Sequence, residues 1–461
     1  MAGGETRLRD YAAASGPRWF WDRTRSIRFT DLRGGTVLGP GLAILAGRSV
    51  LLAVESQLNA ALALIELDGL ARRVVVLPPD IDVTHLPAIV ASAQIDAAII
   101  DDGAPSLATL GLSLQVSCEP SIISAKESPA DRVCTEWVLV TSGTTGIPKM
   151  VVHHLASLTA PLDAPSPADG AVVWGTFYDV RRYGGLQIYL RALVAGASLV
   201  LSNPKESVAD HLARLAQYDI THLSGTPSHW RRALMNPAIR KIAPRYVRLS
   251  GEIADQAILD ALRAAFPQAV IGHAYASTEA GVAFDVNDGR AGFPAAYLGG
   301  TRDGVDLRII DNSLRIRSPR TASTYLGAAT PLADADGFVD TGDIVEQRGD
   351  RCYFAGRKGG VINIGGLKVH PEEVEAVINR HPRVRMSLVR GKQSPITGSV
   401  VVADIVLSSG QRLEATRQIE VKNDILKFCR EALPRHKVPA SISFVQALDV
   451  GATGKLVRRQ G

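Results

Sequence analysis

The chain has 461 residues, 46% hydrophobic and 21% charged, which is too long for one ordinary core and too apolar for wholesale disorder, so two or three domains are expected. Its four cysteines, Cys118, Cys134, Cys352 and Cys429, lack CxxC spacing; they indicate neither a zinc site nor a disulfide framework and fit a reducing cytoplasm. The net charge of +5 is uneven: from Arg357 onward 18 Lys plus Arg face 9 Asp plus Glu, a net of +9, against −4 for residues 1–356.

Only Phe428 and Phe444 are aromatic in that basic region, so base stacking is poorly supported and no nucleic-acid partner is expected. A basic lid over a phosphate-rich small molecule accounts for the same charge. The N-terminal stretch has no signal-peptide core and the apolar run Ile95 to Ile100 is too short to cross a bilayer, so no membrane insertion is expected.

In chain order, residues 36–130 read as strand, helix, strand: Val50 to Val54, Leu58 to Leu70, Val74 to Leu77, Leu86 to Ala93 and Ala97 to Ile100. That rhythm predicts a mostly parallel sheet covered by helices. Next, an apolar strand from Trp137 runs into Thr141-Ser142-Gly143-Thr144-Thr145-Gly146-Ile147-Pro148-Lys149. Glycines that permit positive φ, hydroxyl donors and a lysine suit a phosphate-holding turn. It is not a Walker A loop, because Ile147 and Pro148 separate the last glycine from the lysine.

A second α/β set follows, with strands at Ala171 to Trp174, Ser198 to Leu201, Ile220 to Leu223 and Tyr246 to Ser250, and helices at Leu186 to Val194, Val208 to Gln217 and Gln256 to Ala265. His273-Ala-Tyr-Ala-Ser-Thr-Glu279 then sits at the carboxyl end of the strand Ala269 to Ile271, where open α/β sheets bind ligands. Tyr275 can stack on a flat ring, Thr278 can donate to a phosphate oxygen and Glu279 can hold magnesium.

From Val305 short alternating stretches predict a small antiparallel β subdomain. Asp336 to Asp343 packs three acids and two glycines into a turn, read either as a solvated hairpin or, at Asp343, as a ribose-binding carboxylate. Past Gly356, Gly359 and Gly360 make a candidate hinge, and Gly365 and Gly366 permit close backbone approach or a tight strand turn. The helix predicted from Pro371 to Asn379 opens with proline and acids, ordinary helix-start chemistry. Strands at Met386 to Val389 and Val400 to Leu407 and a helix at Ile419 to Leu433 complete a mixed segment before Ala452-Thr-Gly-Lys455.

Taken in order, these segments resemble the adenylate-forming superfamily of acyl- and aryl-CoA ligases, nonribosomal peptide adenylation domains and firefly luciferase, from roughly Val133 to Arg459. The resemblance implies an α/β fold: a large N-terminal core (1–356) of two stacked α/β subdomains plus a small β subdomain, then a small mobile α+β lid (357–461). It implies that Thr141 to Lys149 contact the ATP triphosphate, Tyr275 stacks on adenine beside His273 and Ala274, Thr278 meets the α-phosphate and Glu279 binds magnesium. Gly251 and Glu252 border the nucleotide, Asp343 and Arg357 correspond to the ribose binders, and Lys455 matches the lysine bridging substrate carboxylate and α-phosphate. Gly359, with Gly365 and Gly366, falls in the hinge and coenzyme A segment.

The implied reaction is ATP-dependent formation of an acyl adenylate, release of pyrophosphate and transfer to coenzyme A. The runner-up is a stand-alone adenylating enzyme passing the acyl group to a carrier-protein thiol or an amine; a nucleotide-binding regulatory protein with a dead active site is the alternative from another class. Pocket walls are expected from Phe177 to Gly185 (Phe177, Tyr178, Tyr183, Gly184), from Ser224 to Thr226 (Gly225), from Gly251 and Glu252, and from Ala274 to Ser277 (Ala276), suiting small or aromatic acids. Tyr178 or Tyr183 is expected to replace a histidine frequent there, and Arg181 and Arg182 are weighed as binders of a second carboxylate against a solvated alternative. Ala276 stands where many members have glycine, and Gly359 where the hinge often has aspartate or lysine. The first subdomain looks trimmed. A homodimeric state stays open.

Overall fold

The computed structural model describes residues 6–14, 16, 18–104, 107, 110–124, 133–141, 148–160, 162, 171–327, 330–364, 366–394, 398–408 and 414–458. Two large sheets lie on either side of a helical layer. One has seven strands in the order Thr324–Tyr325, Lys149–His153, Glu136–Thr141, Arg73–Val76, Ser49–Ala53, Ala97–Ile100 and Gln115–Ser117. The last five run parallel, and the first two are antiparallel additions. Strand residues alternate between two cores: Val50, Val74, Trp137 and Leu139 face the central layer, while Leu51, Val75, Val138 and Val140 face the outer helix Leu86–Ala93. A sheet covered on both faces must be apolar at successive positions, which is why these strands read as unbroken hydrophobic runs.

The second sheet has eight strands: Gly281–Val286, Val270–Ser277, Tyr246–Ser250, His222–Gly225, Val173–Thr176, Ser198–Val200, Trp19–Trp21 and Ser26–Arg28. Between the sheets lie the helices Gln57–Leu67, buried along its whole length, and Tyr183–Val194. Against the outer face of the second sheet pack Val208–Gln217, Pro227–Leu234 and Gln256–Ala265. A six-stranded antiparallel sheet runs from Phe293–Pro294 through Arg351–Arg357, Val339–Arg348, Ser313–Arg317 and Val305–Ile310 to Thr301–Arg302. After it, the helices Pro371–Ile378 and Ala415–Ala432 and the sheet Val384–Ser394, Gly398–Leu407, Ser441–Phe444 enclose a separate apolar core. Among the described residues no helix is long and apolar enough to cross a membrane.

Several elements depart from the sequence reading. The hairpin Trp19–Trp21 and Ser26–Arg28 was not anticipated, and it extends the second sheet by pairing with Ser198–Val200. The strand expected at Ile220 to Leu223 lies two residues later, because Ile220 closes the turn after Val208–Gln217. Arg181 is neither a carboxylate binder nor solvated. It is 2% exposed, with Nε and Nη2 held by the Asp179 carboxylate and Nη1 by the Val54 carbonyl. Arg182 is paired with Asp80.

The Asp179–Arg181 pair ties the chain entering the inner helix Tyr183–Val194 to the end of a strand in the opposite sheet. Removing one member leaves a buried charge uncompensated, so Asp179→Ala should lower unfolding stability by about 3–5 kcal/mol. Urea denaturation checks it.

Candidate active site

The candidate residues gather where the parallel strands of the second sheet end. Tyr246–Ser250 is followed by Gly251 at φ +88°, a conformation that favours glycine, and by Glu252. His222–Gly225 is followed by Thr226, which caps the helix Pro227–Leu234 by accepting from the His229 amide. Onto this edge docks the turn that carries Lys455. The Thr226 hydroxyl donates to the Gly454 carbonyl at 2.5 Å, and the Leu456 amide donates to Glu252 at 3.0 Å. Glu252 also accepts from the amide and hydroxyl of Ser228.

A β-carbon on Gly251 would stand 3.4 Å from Cε of Lys455, so that side chain passes directly over the strand end. Burial of its shaft, then the positive charge of Arg357, holds the Lys455 ammonium below the usual lysine range, although the residue keeps solvent-exposed surface. Glu252 and Asp343 oppose that shift.

The Tyr275 hydroxyl donates to Asp343 at 2.6 Å, and Arg357 Nε donates to the other carboxylate oxygen at 2.9 Å. Register brings this about, since Asp343 and Arg357 are direct partners in the antiparallel pair. The Tyr275 ring lies nearly parallel to Phe354, 5.2 Å between centroids, and to Phe284. Asp340, in the same 336–343 segment, serves structure: it binds Ser313, Arg315 and Lys358, and although partial burial opposes the shift, hydrogen bonds from Ser313, the Gly342 amide and Lys358 pull it down to about 2. His273 donates from Nε2 to the Arg290 carbonyl at 3.0 Å, which leaves Nδ1 as an acceptor; burial lowers its pKa. Ala274 and Ala276 lie on the same strand, with a bulge between Tyr275 and Ala276.

Lys149 and Glu279, 130 positions apart, are joined by a residue the sequence reading passed over. Tyr325 pairs in register with Val151, puts its ring 5.2 Å beneath the Lys149 ammonium, and donates its hydroxyl to Glu279 at 3.3 Å. Burial and the Glu279 charge push that phenol to about 12. His153 was also missed. Its Nε2 donates to the Thr278 carbonyl at 2.7 Å, linking the strand after the phosphate turn to the Thr278–Glu279 segment, and burial lowers it to about 4, so it is neutral near pH 7. Thr141 is described, at the end of its strand; Ser142, Gly143, Thr144, Thr145 and Gly146, and Gly365 of the later turn, lie outside the described residues.

Both tyrosines expected in the acyl pocket are buried. The Tyr178 hydroxyl is spent on the Ser250 carbonyl at 2.8 Å, and the buried Tyr183 ring stacks on His153. The imidazole beside the Lys455 turn comes instead from His229, whose ring lies parallel to Phe177 at 5.4 Å and directly against Gly454. Burial, with Arg232 and His211 nearby, lowers it to about 3. Gly225 lies under the Phe177 ring and Gly184 on the Tyr178 ring. Gly359 occupies an exposed 3₁₀ turn, Lys358–Gly360, and Gly366 a tight turn at φ +88°, both free of close neighbours. The signal for His229 was present in Thr226-Pro-Ser-His229, a capping sequence, but its contact with Gly454 spans more than 220 residues.

Glu279 offers one carboxylate and makes no ion pair among the described residues. That donor fits a magnesium ion held largely by phosphate oxygens and water, since magnesium takes one or two protein carboxylates in such sites.

Residues 59–325 match the family model of AMP-binding enzymes and residues 373–455 that of the AMP-binding enzyme C-terminal domain. The chain is 29% identical over 369 residues to a 2-succinylbenzoate--CoA ligase of Salmonella typhimurium, covering 77% of this chain and 76% of that one. It is 25% identical over 373 residues to 4-coumarate--CoA ligase 2 of Oryza sativa subsp. japonica, covering 74% of this chain and 64% of the rice protein's length. The fold matches a benzoate CoA ligase from Burkholderia xenovorans LB400 with a TM-score of 0.78 at 20% identity, over 98% of each chain. With the first of these family models spanning more than half its length, and the Lys455 turn seated over the strand ends, the chain belongs to the adenylate-forming, AMP-binding enzymes.

Proposed function

We propose that this protein activates a small carboxylic acid with ATP, releasing pyrophosphate and forming an acyl adenylate, and then passes the acyl group to coenzyme A. The observation that carries the reading is the Lys455 turn, held by Thr226 and Glu252 with Arg357 and Asp343 within electrostatic reach. The curated relatives named as CoA ligases of 4-coumarate and 2-succinylbenzoate support coenzyme A as acceptor and an aryl acid as substrate.

The attack of a carboxylate on the α-phosphorus brings two anions together, so catalysis rests on positioning and charge neutralisation. The Lys455 ammonium would sit between substrate carboxylate and α-phosphate. Thr278 would donate to an α-phosphate oxygen, and Thr141 to Lys149 would hold the leaving pyrophosphate. Asp343 keeps lone pairs free beyond those given to Tyr275 and Arg357, enough to accept ribose hydroxyls. His273 Nδ1 would accept from the adenine amino group beside Tyr275. Magnesium, when bound at Glu279, would supply further charge neutralisation on the phosphates. A division at residues 356 and 357, with Gly359 as hinge, belongs to the same proposal: the basic lid delivers Lys455 for the first half-reaction and then turns away to admit the thiol.

Lys455→Ala should reduce adenylate formation by about 100-fold or more, as loss of a transition-state charge donor does, while transfer from supplied acyl-AMP to coenzyme A persists. Single-turnover assays of each half-reaction decide, and equal losses in both would refute the assigned role. Gly454→Ala should act on the same step, because a β-carbon there overlaps the His229 ring and the site's φ is +74°; an unchanged pyrophosphate-exchange rate would show that the docked turn is not the reactive one. Lys455 acts as the cation, so activity is present below its depressed pKa and lost as pH rises through it. Replacing it with Arg should move that alkaline limb upward in a pH-rate profile of pyrophosphate exchange.

A further inference from the structure

The helix Pro371–Ile378 and its cap carry two polar grips four residues apart, hence on one face. Glu375 accepts two hydrogen bonds of 2.7 Å from Arg458, which follows the turn presenting Lys455. Asn379, the residue closing the helix, reaches the other way and donates from Nδ2 to the Asp255 carboxylate at 3.1 Å. An ionised carboxylate can only accept, so the amide's orientation is fixed, and its Oδ1 accepts from the Ser387 hydroxyl at 2.8 Å. Asp255 in turn caps the helix Gln256–Ala265 through the Ile258 amide and pairs with the buried Arg231, whose Nη1 donates to the Arg385 carbonyl at 3.2 Å. Two hydrogen bonds thus cross from the core to the C-terminal domain at this point, away from the Lys455 turn.

The two points of contact are linked on both sides of the boundary. On the core side, Asp255 lies three residues after Glu252, and Arg231 lies three residues after Ser228, whose amide and hydroxyl donate to Glu252. On the other side, Asn379 and Glu375 share a helix, and Glu375 holds Arg458, two residues after the Leu456 amide that donates to Glu252. The contacts therefore close a ring from Asn379 through Asp255, Glu252, Leu456, Arg458 and Glu375 back to Asn379. Among the described residues, the buried apolar core of the C-terminal domain, Ile362 to Ile442, shares no member with the other apolar cores, and a cleft lined by Met235, Pro237, Met386 and Leu448 lies between the two parts. Directional polar contacts are left to set how they meet.

We propose that Asn379 and Asp255 are positioning residues for adenylate formation: their hydrogen bond, backed by Arg231, latches the C-terminal domain in the orientation that sets Lys455 over the strand ends. The inference rests on the adenylation reading above. Neither residue touches the reacting atoms, and both act through the ring that fixes the Lys455 turn.

The test exchanges donor and acceptor across the boundary. Asn379→Asp keeps an oxygen for the Ser387 hydroxyl but turns a second carboxylate on Asp255, and Asp255→Asn keeps an oxygen for the Ile258 amide but turns one amide on another. The double variant again sets an amide against a carboxylate and leaves one carboxylate for Arg231. With the fastest of benzoate, 4-coumarate, 2-succinylbenzoate and butanoate, each single variant should slow ATP–pyrophosphate exchange about tenfold and the double variant should recover most of that loss. Transfer from supplied acyl-AMP to coenzyme A should stay within about twofold throughout. Without any substrate, hydrogen–deuterium exchange at the Leu456 amide should be faster in each single variant and slow again in the double, with folding checked by thermal melting. Unchanged pyrophosphate exchange in both single variants, equal losses in the two half-reactions, or no recovery in the double variant overturns the proposal and leaves the adenylation reading standing. Unaltered protein that exchanges pyrophosphate with none of the four acids and releases no AMP with coenzyme A overturns that reading and the assigned role with it.

Discussion

The Glu252 carboxylate holds together two stretches of chain more than 200 residues apart. It accepts from the Ser228 amide and hydroxyl at the start of one helix and from the Leu456 amide of the last turn. That junction brings a lysine from the end of the chain over the carboxyl ends of a parallel sheet. Hydrogen bonds to a carboxylate are stronger than those between neutral groups, and Glu252 accepts three.

On its outer side the same turn is secured differently. Arg458 donates through Nη1 and Nη2 to Glu375 at 2.7 Å each and through Nη1 to the Val389 carbonyl, with Glu372 3.3 Å away. Glu375 is fully enclosed in the lid; burial pushes it to about 7 even against the Arg458 charge. The Lys455 turn is thus anchored to the C-terminal domain by an ion pair whose carboxylate is buried, and to the core by hydrogen bonds. Breaking the Arg458–Glu375 pair would strand the buried Glu375 carboxylate without its countercharge.

Much of the site was legible in local sequence because its parts obey short-range rules. A glycine- and hydroxyl-rich turn after an apolar strand, acids in a hairpin and a ligand-facing segment at a strand end each carry their chemistry in a few adjacent residues. The residues that went unread act through contacts no window contains. Tyr325 matters because antiparallel register sets it between Lys149 and Glu279, His153 because its ring reaches Thr278, and His229 because Gly454 rests on it. Arg181 and Arg182, weighed between a solvated pair and binders of a second carboxylate, went unread for a similar reason, since adjacent arginines in a sequence do not reveal that Asp179 and Asp80 already neutralise them.

By itself the sequence determined the layered α/β architecture and the basic character of the last hundred residues, since apolar periodicity, turn chemistry and charge are local properties. Only the tertiary structure decided which polar side chains are satisfied. The Tyr178 hydroxyl is held by the Ser250 carbonyl, Arg248 inside its strand by Asp285, and Arg181 in the loop by Asp179 and the Val54 carbonyl. Whether a donor is free depends on every neighbour that burial brings to it, and that sum exists only once the sheets and the helical layer between them have closed.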